Sequence, residues 1–262
     1  MVFMYHNTRG AFTQAAKKSP LPPSKGLESP FCSNDVYGMP SAFDTGVHAC
    51  ECKQIHKPLR VVLTGGPGAG KTATLEMIKQ SFCSHVRVLP EAAGIVFGGG
   101  FPRFKTLDAR KASQRAIFHV QRELEAAVAN ENAAVILCDR GTVDGLAYWP
   151  GPDDFWQDLG TTLAAQLSRY DAVIHLRTPS ADGGYDRSNP LRTETAVEAA
   201  AIDERLLHAW ETHPRRLIVP NSLDFQAKPK EVIEYLRALL PSCCRGLQLD
   251  LWSEADRRLG QA

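Results

Sequence analysis

The sequence predicts an α/β protein, a three-layer sandwich on a five-stranded, mainly parallel sheet with a helical lid. Three observations predict it. Short runs rich in Val, Ile and Leu recur at 60–64, 86–90, 133–138, 172–176 and 216–219, with helical patterns between them. The run Ala133-Ala134-Val135-Ile136-Leu137-Cys138 is apolar throughout, as a strand covered on both faces must be. The first run ends in a glycine-rich turn, Gly65-Gly66-Pro67-Gly68-Ala69-Gly70-Lys71-Thr72, and that turn opens directly into a helical pattern.

Each helix is justified by its periodicity. The segment 72–79 is helical, with Leu75, Ile78 and Phe82 on one face. Residues 109–128 carry Ala109, Ala112, Ala116, Val120, Leu124 and Val128 every three or four positions, an amphipathic stripe. Residues 155–167 are expected to form one further helix. Residues 229–239 are expected to form the last, with Val232, Ile233, Leu236 and Leu239 or Leu240 facing inward. The pattern divides the chain into a disordered extension at 1–57, an α/β domain at 58–241 and a short tail at 242–262 that is expected to be helical in part.

The turn at 65–72 has the spacing G-x-x-x-x-G-K-T, the phosphate-binding P-loop. Glycines carry no Cβ, so the backbone can curl with successive N–H groups pointing inward at phosphate oxygens. The following helix adds its positive end. Gly65, Gly66, Pro67, Gly68, Ala69, Gly70, Lys71, Thr72 and Ala73 are therefore the expected nucleotide cradle. Lys71 reaches the β- and γ-phosphates, and the Thr72 hydroxyl ligates Mg²⁺.

Ligands of parallel sheets bind beyond the carboxyl ends of the strands. Glu91, Asp139, Arg140 and Arg177 follow strands and are expected at the P-loop edge. Asp139 ends an apolar run, so it is expected to hold Mg²⁺ directly or through water. Glu91 is placed either to accept a proton from an acceptor hydroxyl or to complete the Mg²⁺ shell. Arg140 has two readings, a phosphate clamp or a structural partner for an acid. The polar stretch from Ser180 to His213 contains Arg187 and Arg192, which suit a lid closing over a triphosphate. Gly98-Gly99-Gly100 marks a hinge or flexible turn, followed by Phe101, Arg103 and Phe104. Asp144, Tyr148 and Trp149 are second-rank candidates for acceptor contacts.

Composition excludes some classes. Of 262 residues, 30 are Lys or Arg and 29 are Asp or Glu, a net charge of +1. Charge alone suggests no nucleic-acid face, and no apolar run is long enough to cross a membrane. The seven cysteines, Cys32, Cys50, Cys52, Cys83, Cys138, Cys243 and Cys244, are odd in number. Two of them, Cys83 and Cys138, fall in expected core elements, which points to a reducing compartment and a cytoplasmic protein. Arg9, Lys17, Lys18 and Lys25 precede the first acid, Glu28, a bias that transit peptides share, but no amphipathic helix accompanies it. His48, Cys50, Cys52 and His56 are four soft ligands in nine residues. Their spacing, H-x-C-x-C-x-x-x-H, is not a zinc pattern, because C-x-C is tighter than the usual C-x₂₋₄-C.

The segment 59–240 resembles the NadR-like P-loop domain family, filed among AAA-type domains and close to nucleoside and small-molecule kinases. The resemblance is carried by 65–72, by Glu91, by Asp139-Arg140-Gly141, and by Asn189-Pro190-Leu191-Arg192-Thr193-Glu194 leading into a helix that ends Trp210-Glu211-Thr212-His213-Pro214. It implies ATP or GTP binding with Mg²⁺ and, in some members, phosphate transfer to a nucleoside-like acceptor. Other members resemble nucleotide-binding regulators. Three functions follow for weighing. A small-molecule kinase uses Lys71, Arg187 and Arg192 on the phosphoryl group, Thr72 and Asp139 on Mg²⁺, and Glu91 on the acceptor. A nucleotide-dependent switch has little turnover and a protein or lipid partner. A guanine-reading N-K-x-D element is missing, since Asn221-Ser222-Leu223-Asp224 lacks the lysine. A hydrolytic motor wants a second acid after Asp139, where Arg140 stands. The kinase reading leads.

Overall fold

The computed structural model describes residues 52–152, 154–179, 195–222 and 226–245. All belong to the unit Pro40–Ala262. Five strands, β1 (Leu59–Thr64), β2 (Val86–Leu89), β3 (Val135–Asp139), β4 (Ala172–Leu176) and β5 (Arg216–Val219), form one sheet in the order β2-β3-β1-β4-β5. Every neighbouring pair is parallel. The helices among the described residues are α1 (Lys71–Ser81), α2 (Ala92–Gly98), α3 (Leu107–Ala127), α4 (Gly145–Tyr148), α5 (Phe155–Asp158), α6 (Leu163–Leu167), α7 (Ala196–Ala209) and α8 (Ala227–Leu239).

Successive side chains of a strand face opposite ways, so each strand feeds two cores. Val61, Leu63, Leu137 and Ile174 face α1 and α8, where they meet Leu75, Ile78, Phe82, Val232, Ile233 and Leu236. Val62, Ile136, Cys138 and Val173 face the other way and meet Val128, Tyr170, Ala209 and Trp210. Each fully buried aliphatic side chain contributes about 1.5–3 kcal/mol. These two cores are what make the sandwich three layers deep. Helix α7 begins with a capping box. The Thr195 hydroxyl accepts from Glu198 N at 3.2 Å, and the Glu198 carboxylate accepts from Thr195 N at 2.7 Å.

The structure departs from the periodicity in two places. The expected helix at 155–167 is broken into α5 and α6. Gly160 takes a left-handed φ of 64° and ends the first piece, and the Thr162 side chain caps the second. In α3 the buried residues are Ser113, Phe118, Gln121 and Glu125, whereas Ala109, Ala112, Ala116, Val120 and Leu124 of the expected stripe are half-buried and its last member, Val128, is buried. The reason is electrostatic. Glu125 accepts from Tyr170 Oη at 2.7 Å, from Arg169 Nη2 at 2.5 Å and from Gln121 Nε2 at 3.0 Å, so a polar face turns inward to a satisfied network.

Because Leu236 is fully buried between α8 and the sheet, Leu236→Ala should lower stability by about 2–5 kcal/mol in urea unfolding. A loss under 1 kcal/mol would mean that α8 is not part of the core.

Candidate functional site

The parallel register decides which groups meet. Leu63 of β1 stands beside Asp139 of β3, and Thr64 beside His175 of β4. The carboxyl ends of three strands therefore open on the turn at 65–70. Gly65 has φ 143°, and a Cβ there would lie 2.2 Å from the Leu176 carbonyl oxygen, so no other residue fits. Gly70 has φ 93° and delivers the chain into α1, whose first turn carries no acid. The helix N-terminus is thus free to favour an anion.

A cavity of about 910 Å³ lies over this edge. The turn and Lys71 to Thr74 form one side of it. Glu91, Asp139, Arg140, Asp144 and Tyr148 form the floor. Phe97 of α2, Gln114, Ile117, Phe118 and Gln121 of α3, and Arg103 between the two helices also line it. Asn221, Ser222, Lys228 and Pro229 close the far side.

Two cations, Lys71 and Arg140, and three acids, Glu91, Asp139 and Asp144, line the same cavity. Arg140 Nε donates to Glu91 Oε1 at 2.6 Å, and Arg140 Nη1 donates to Asp144 Oδ2 at 3.2 Å. The Arg140 backbone sits at φ 73°, the single positive φ among described residues other than glycine, a conformation that costs about 1–3 kcal/mol. That bend turns its side chain back across the floor, where Tyr148 faces it 5.4 Å away. Burial and the neighbouring Arg140 pull Lys71 down to about 8, while Asp139, Glu91 and Asp144 hold it up. Burial works to raise Glu91, but Arg140 and Lys71 outweigh it and keep its carboxyl below the ordinary value.

Asp139 is different. Burial pushes it up to about 6 against the pull of Lys71 and Arg140. Its Oδ1 is buried and has no hydrogen-bond partner. A buried carboxylate oxygen left open beside a phosphate cradle fits a hard cation such as Mg²⁺, which takes one or two carboxylates and keeps several waters. Thr72 lines the same cavity. The residues present fit the metal that the spacing predicts.

Several sequence-predicted residues come together here: 67–73, Glu91, Asp139, Arg140, Asp144 and Tyr148 all line the cavity. Arg187 and Arg192 lie outside the described residues. Of the turn aromatics, Arg103 stacks over Phe97 at 4.1 Å, whereas Phe104 is exposed and Trp149 packs on Phe155. Arg177 pairs with Asp203 at 2.9 Å and with Glu204, so it is spent on structure.

Two residues were missed, Asp203 and Lys228. Asp203 of α7 accepts from Gly66 N at 3.0 Å and meets His175 Nε2 at 2.9 Å, and it anchors the glycine turn from below. Burial would raise its carboxyl, but His175, Gly66 N and Arg177 hold it below the ordinary value. Its signal was present, since an acid stands on the apolar face Ala199, Ile202, Leu206, Ala209. Lys228 donates to Arg177 O at 2.7 Å and to Ala69 O at 3.3 Å. Asp144, a second-rank candidate from the sequence, lines the cavity and is also a hydrogen-bond hub. It accepts from Thr64 Oγ1 at 2.8 Å, Arg140 Nη1 and Trp210 Nε1 at 2.6 Å. Neither Lys228 nor the Asp144 hub shows in local spacing.

Residues 60–228 match the model of a family described as an AAA domain. The chain belongs to this AAA-domain family. The match covers the phosphate cradle, Glu91, Asp139 and Lys228, so the AAA domain is a nucleotide-binding P-loop protein. No curated protein matches the chain. No helix among the described residues is long and apolar enough to cross a membrane.

The raised Asp139 sets a pH dependence. Its folded-state value, about 6, lies above the ordinary 3.8, so the stability linked to its protonated form is full below about pH 4 and is lost as pH rises through 6. Asp139→Asn should therefore stabilise the nucleotide-free, Mg²⁺-free protein by about 1–3 kcal/mol at pH 8. The gap should shrink toward pH 5 in urea titrations. A variant no more stable than wild type at pH 8 would refute the assigned environment.

Proposed function

We propose that this domain is a phosphotransferase that moves the γ-phosphate of ATP to the hydroxyl of a small, nucleoside-like acceptor. The observation that carries the reading is the lining of the cavity. Besides the phosphate cradle and Asp139 it takes in the apolar Phe97, Ile117 and Phe118 together with Gln114, Gln121 and Arg103. An apolar slot with a few amide and guanidinium groups is the chemistry that takes a ring and fixes its polar edge. A motor or a simple hydrolase has no need of such a room.

The roles follow from placement. The turn N–H groups and the α1 terminus bind the phosphates, and Lys71 neutralises charge on the transferring group. Thr72 and Asp139 would hold Mg²⁺, which would supply neutralising charge to the polyphosphate. The acceptor oxygen forms a bond to the γ-phosphorus as the bond to the bridging oxygen breaks, and ADP leaves with those electrons. The hydroxyl proton passes to Glu91 or to water. Arg140, fixed by Glu91 and Asp144, keeps Glu91 ionised and oriented. The phosphate-neutralising role that the sequence suggests for Arg187 and Arg192 falls outside the described residues. Asn221 and Ser222 line the cavity and are assigned to the base of ATP or GTP.

A nucleotide-dependent switch with little turnover, acting on a protein or lipid partner, is the second reading. The observation that favours it is Glu91 itself. A carboxylate already bound by arginine and held below its ordinary value is a weak base.

ATP and GTP consumption with Mg²⁺, with and without a panel of nucleosides and other small alcohols, separates the two. The transferase reading expects one acceptor class to raise turnover sharply and to appear as its phosphate ester. Lys71→Ala should cut that turnover by about 10²–10³-fold, the usual loss for a key charge-stabilising donor. Tight nucleotide binding with no acceptor response would sink the transferase and leave the switch.

A further inference from the structure

At the opposite edge of the sheet from the nucleotide cavity, four soft ligands converge from three distant parts of the chain. Cys52 and His56 precede β1, His85 immediately precedes β2, and Cys244 follows α8. We infer that Cys52, His56, His85 and Cys244 form a closed structural site for one zinc ion.

The geometry carries the inference. No two of the four ligand atoms are more than 4.8 Å apart. Cys52 Sγ lies 3.5 Å from His56 Nε2, Cys244 Sγ lies 3.4 Å from the same nitrogen, and His85 Nδ1 lies 3.3 Å from Cys244 Sγ. Tetrahedral zinc, with bonds of about 2.3 Å to sulfur and 2.0–2.1 Å to nitrogen, sets S···N edges of about 3.6 Å. The sulfur–nitrogen contacts are already at that spacing, and the remaining pairs need only small closure. The two imidazoles meet edge to face rather than stacked, with ring centres 4.9 Å apart.

Ordinary hydrogen bonding explains the cluster poorly. The sulfurs of Cys52, Cys244 and Cys243 crowd one ring nitrogen, His56 Nε2, at 3.5, 3.4 and 4.0 Å, more than its one lone pair or one N–H can serve. A cation at the centre satisfies all four groups at once.

The surroundings fit a structural site. Cys244 is fully buried and His85 is 9 % exposed. The segment before β1 is held in place by Asn132, which accepts from His56 N at 2.9 Å and donates to Gln54 O at 3.1 Å. Four protein ligands leave no open position, so the ion would be structural rather than catalytic. It would tie residue 52 to residue 244 and so clip the two ends of the domain, a long loop whose closure costs the unfolded chain most. The site rests on no part of the nucleotide reading. Of the local set His48, Cys50, Cys52 and His56, the first two lie outside the described residues, and the partners of the other two are distant in sequence.

The test uses the full chain, purified with its thiols reduced and without chelator. Elemental analysis should find one zinc per chain after dialysis. Replacement by Co²⁺ should give the intense visible bands of a tetrahedral ion together with a thiolate-to-cobalt charge-transfer band. Cys52→Ser combined with Cys244→Ser should lower bound zinc at least tenfold and leave ATP binding within about twofold. The cobalt spectrum of the wild-type chain decides the matter even if that variant does not fold. Three results would each overturn the site: no bound metal with all thiols free, an octahedral cobalt spectrum without the charge-transfer band, or an intact mass showing Cys52 and Cys244 joined as a disulfide in the protein as made.

Discussion

The molecule is organised around charge that the fold has taken out of water. Lys71 and Arg140 lie among Glu91, Asp139 and Asp144 at the ends of three parallel strands. Charges so placed are tolerable only when paired, and the pairing here is uneven. Arg140 bridges Glu91 and Asp144, and Asp144 is further held by Thr64 and Trp210. Asp139 keeps one buried oxygen without a partner. Arg140, Glu91 and Asp144 satisfy one another, whereas Asp139 leaves a place for a cation and a polyphosphate. Strain at Arg140, burial of Asp139 and the lowered Lys71 are three faces of one constraint. Stability is given up at the site, and the two apolar cores on either side of the sheet restore it.

That constraint also explains residues far from the phosphates. Trp210 fills the core behind β1 and β3, yet its indole N–H is aimed at Asp144, so core packing and site electrostatics are one structure. Asp203 performs the same service for the glycine turn, and His175 and Arg177 share its charge. The glycines permit the turn, and Asp203 and Lys228 hold it in one conformation. Preorganisation of this kind costs little at the moment of binding, because the groups are already in place.

Much of the fold was legible because its signals are local. Apolar runs become strands, and the glycine spacing of 65–72 admits few other conformations. The order β2-β3-β1-β4-β5 places Asp139 and Glu91 beside the cradle, as position after a strand implied. What was not legible depends on long-range partners. The inward face of α3 is polar because Arg169 and Tyr170, more than forty residues on, satisfy Glu125. Helix 155–167 broke because a left-handed glycine and a threonine cap outweigh its periodicity. The choice between clamp and structural pair at Arg140 required knowing that Glu91 and Asp144 stand on either side of it. Likewise, Cys52 and His56 acquire meaning only when β2 and the end of α8 bring His85 and Cys244 to them.

The central claim is that the open oxygen of Asp139 is kept for a divalent cation that binds with the nucleotide. Titration calorimetry of ATP at pH 8, with and without Mg²⁺, tests it most directly when wild type is compared with Asp139→Asn. The account predicts that Mg²⁺ strengthens ATP binding to wild type by tenfold or more, about 1.4 kcal/mol, and leaves the variant nearly unchanged. Equal strengthening in both proteins would contradict it and place the cation elsewhere.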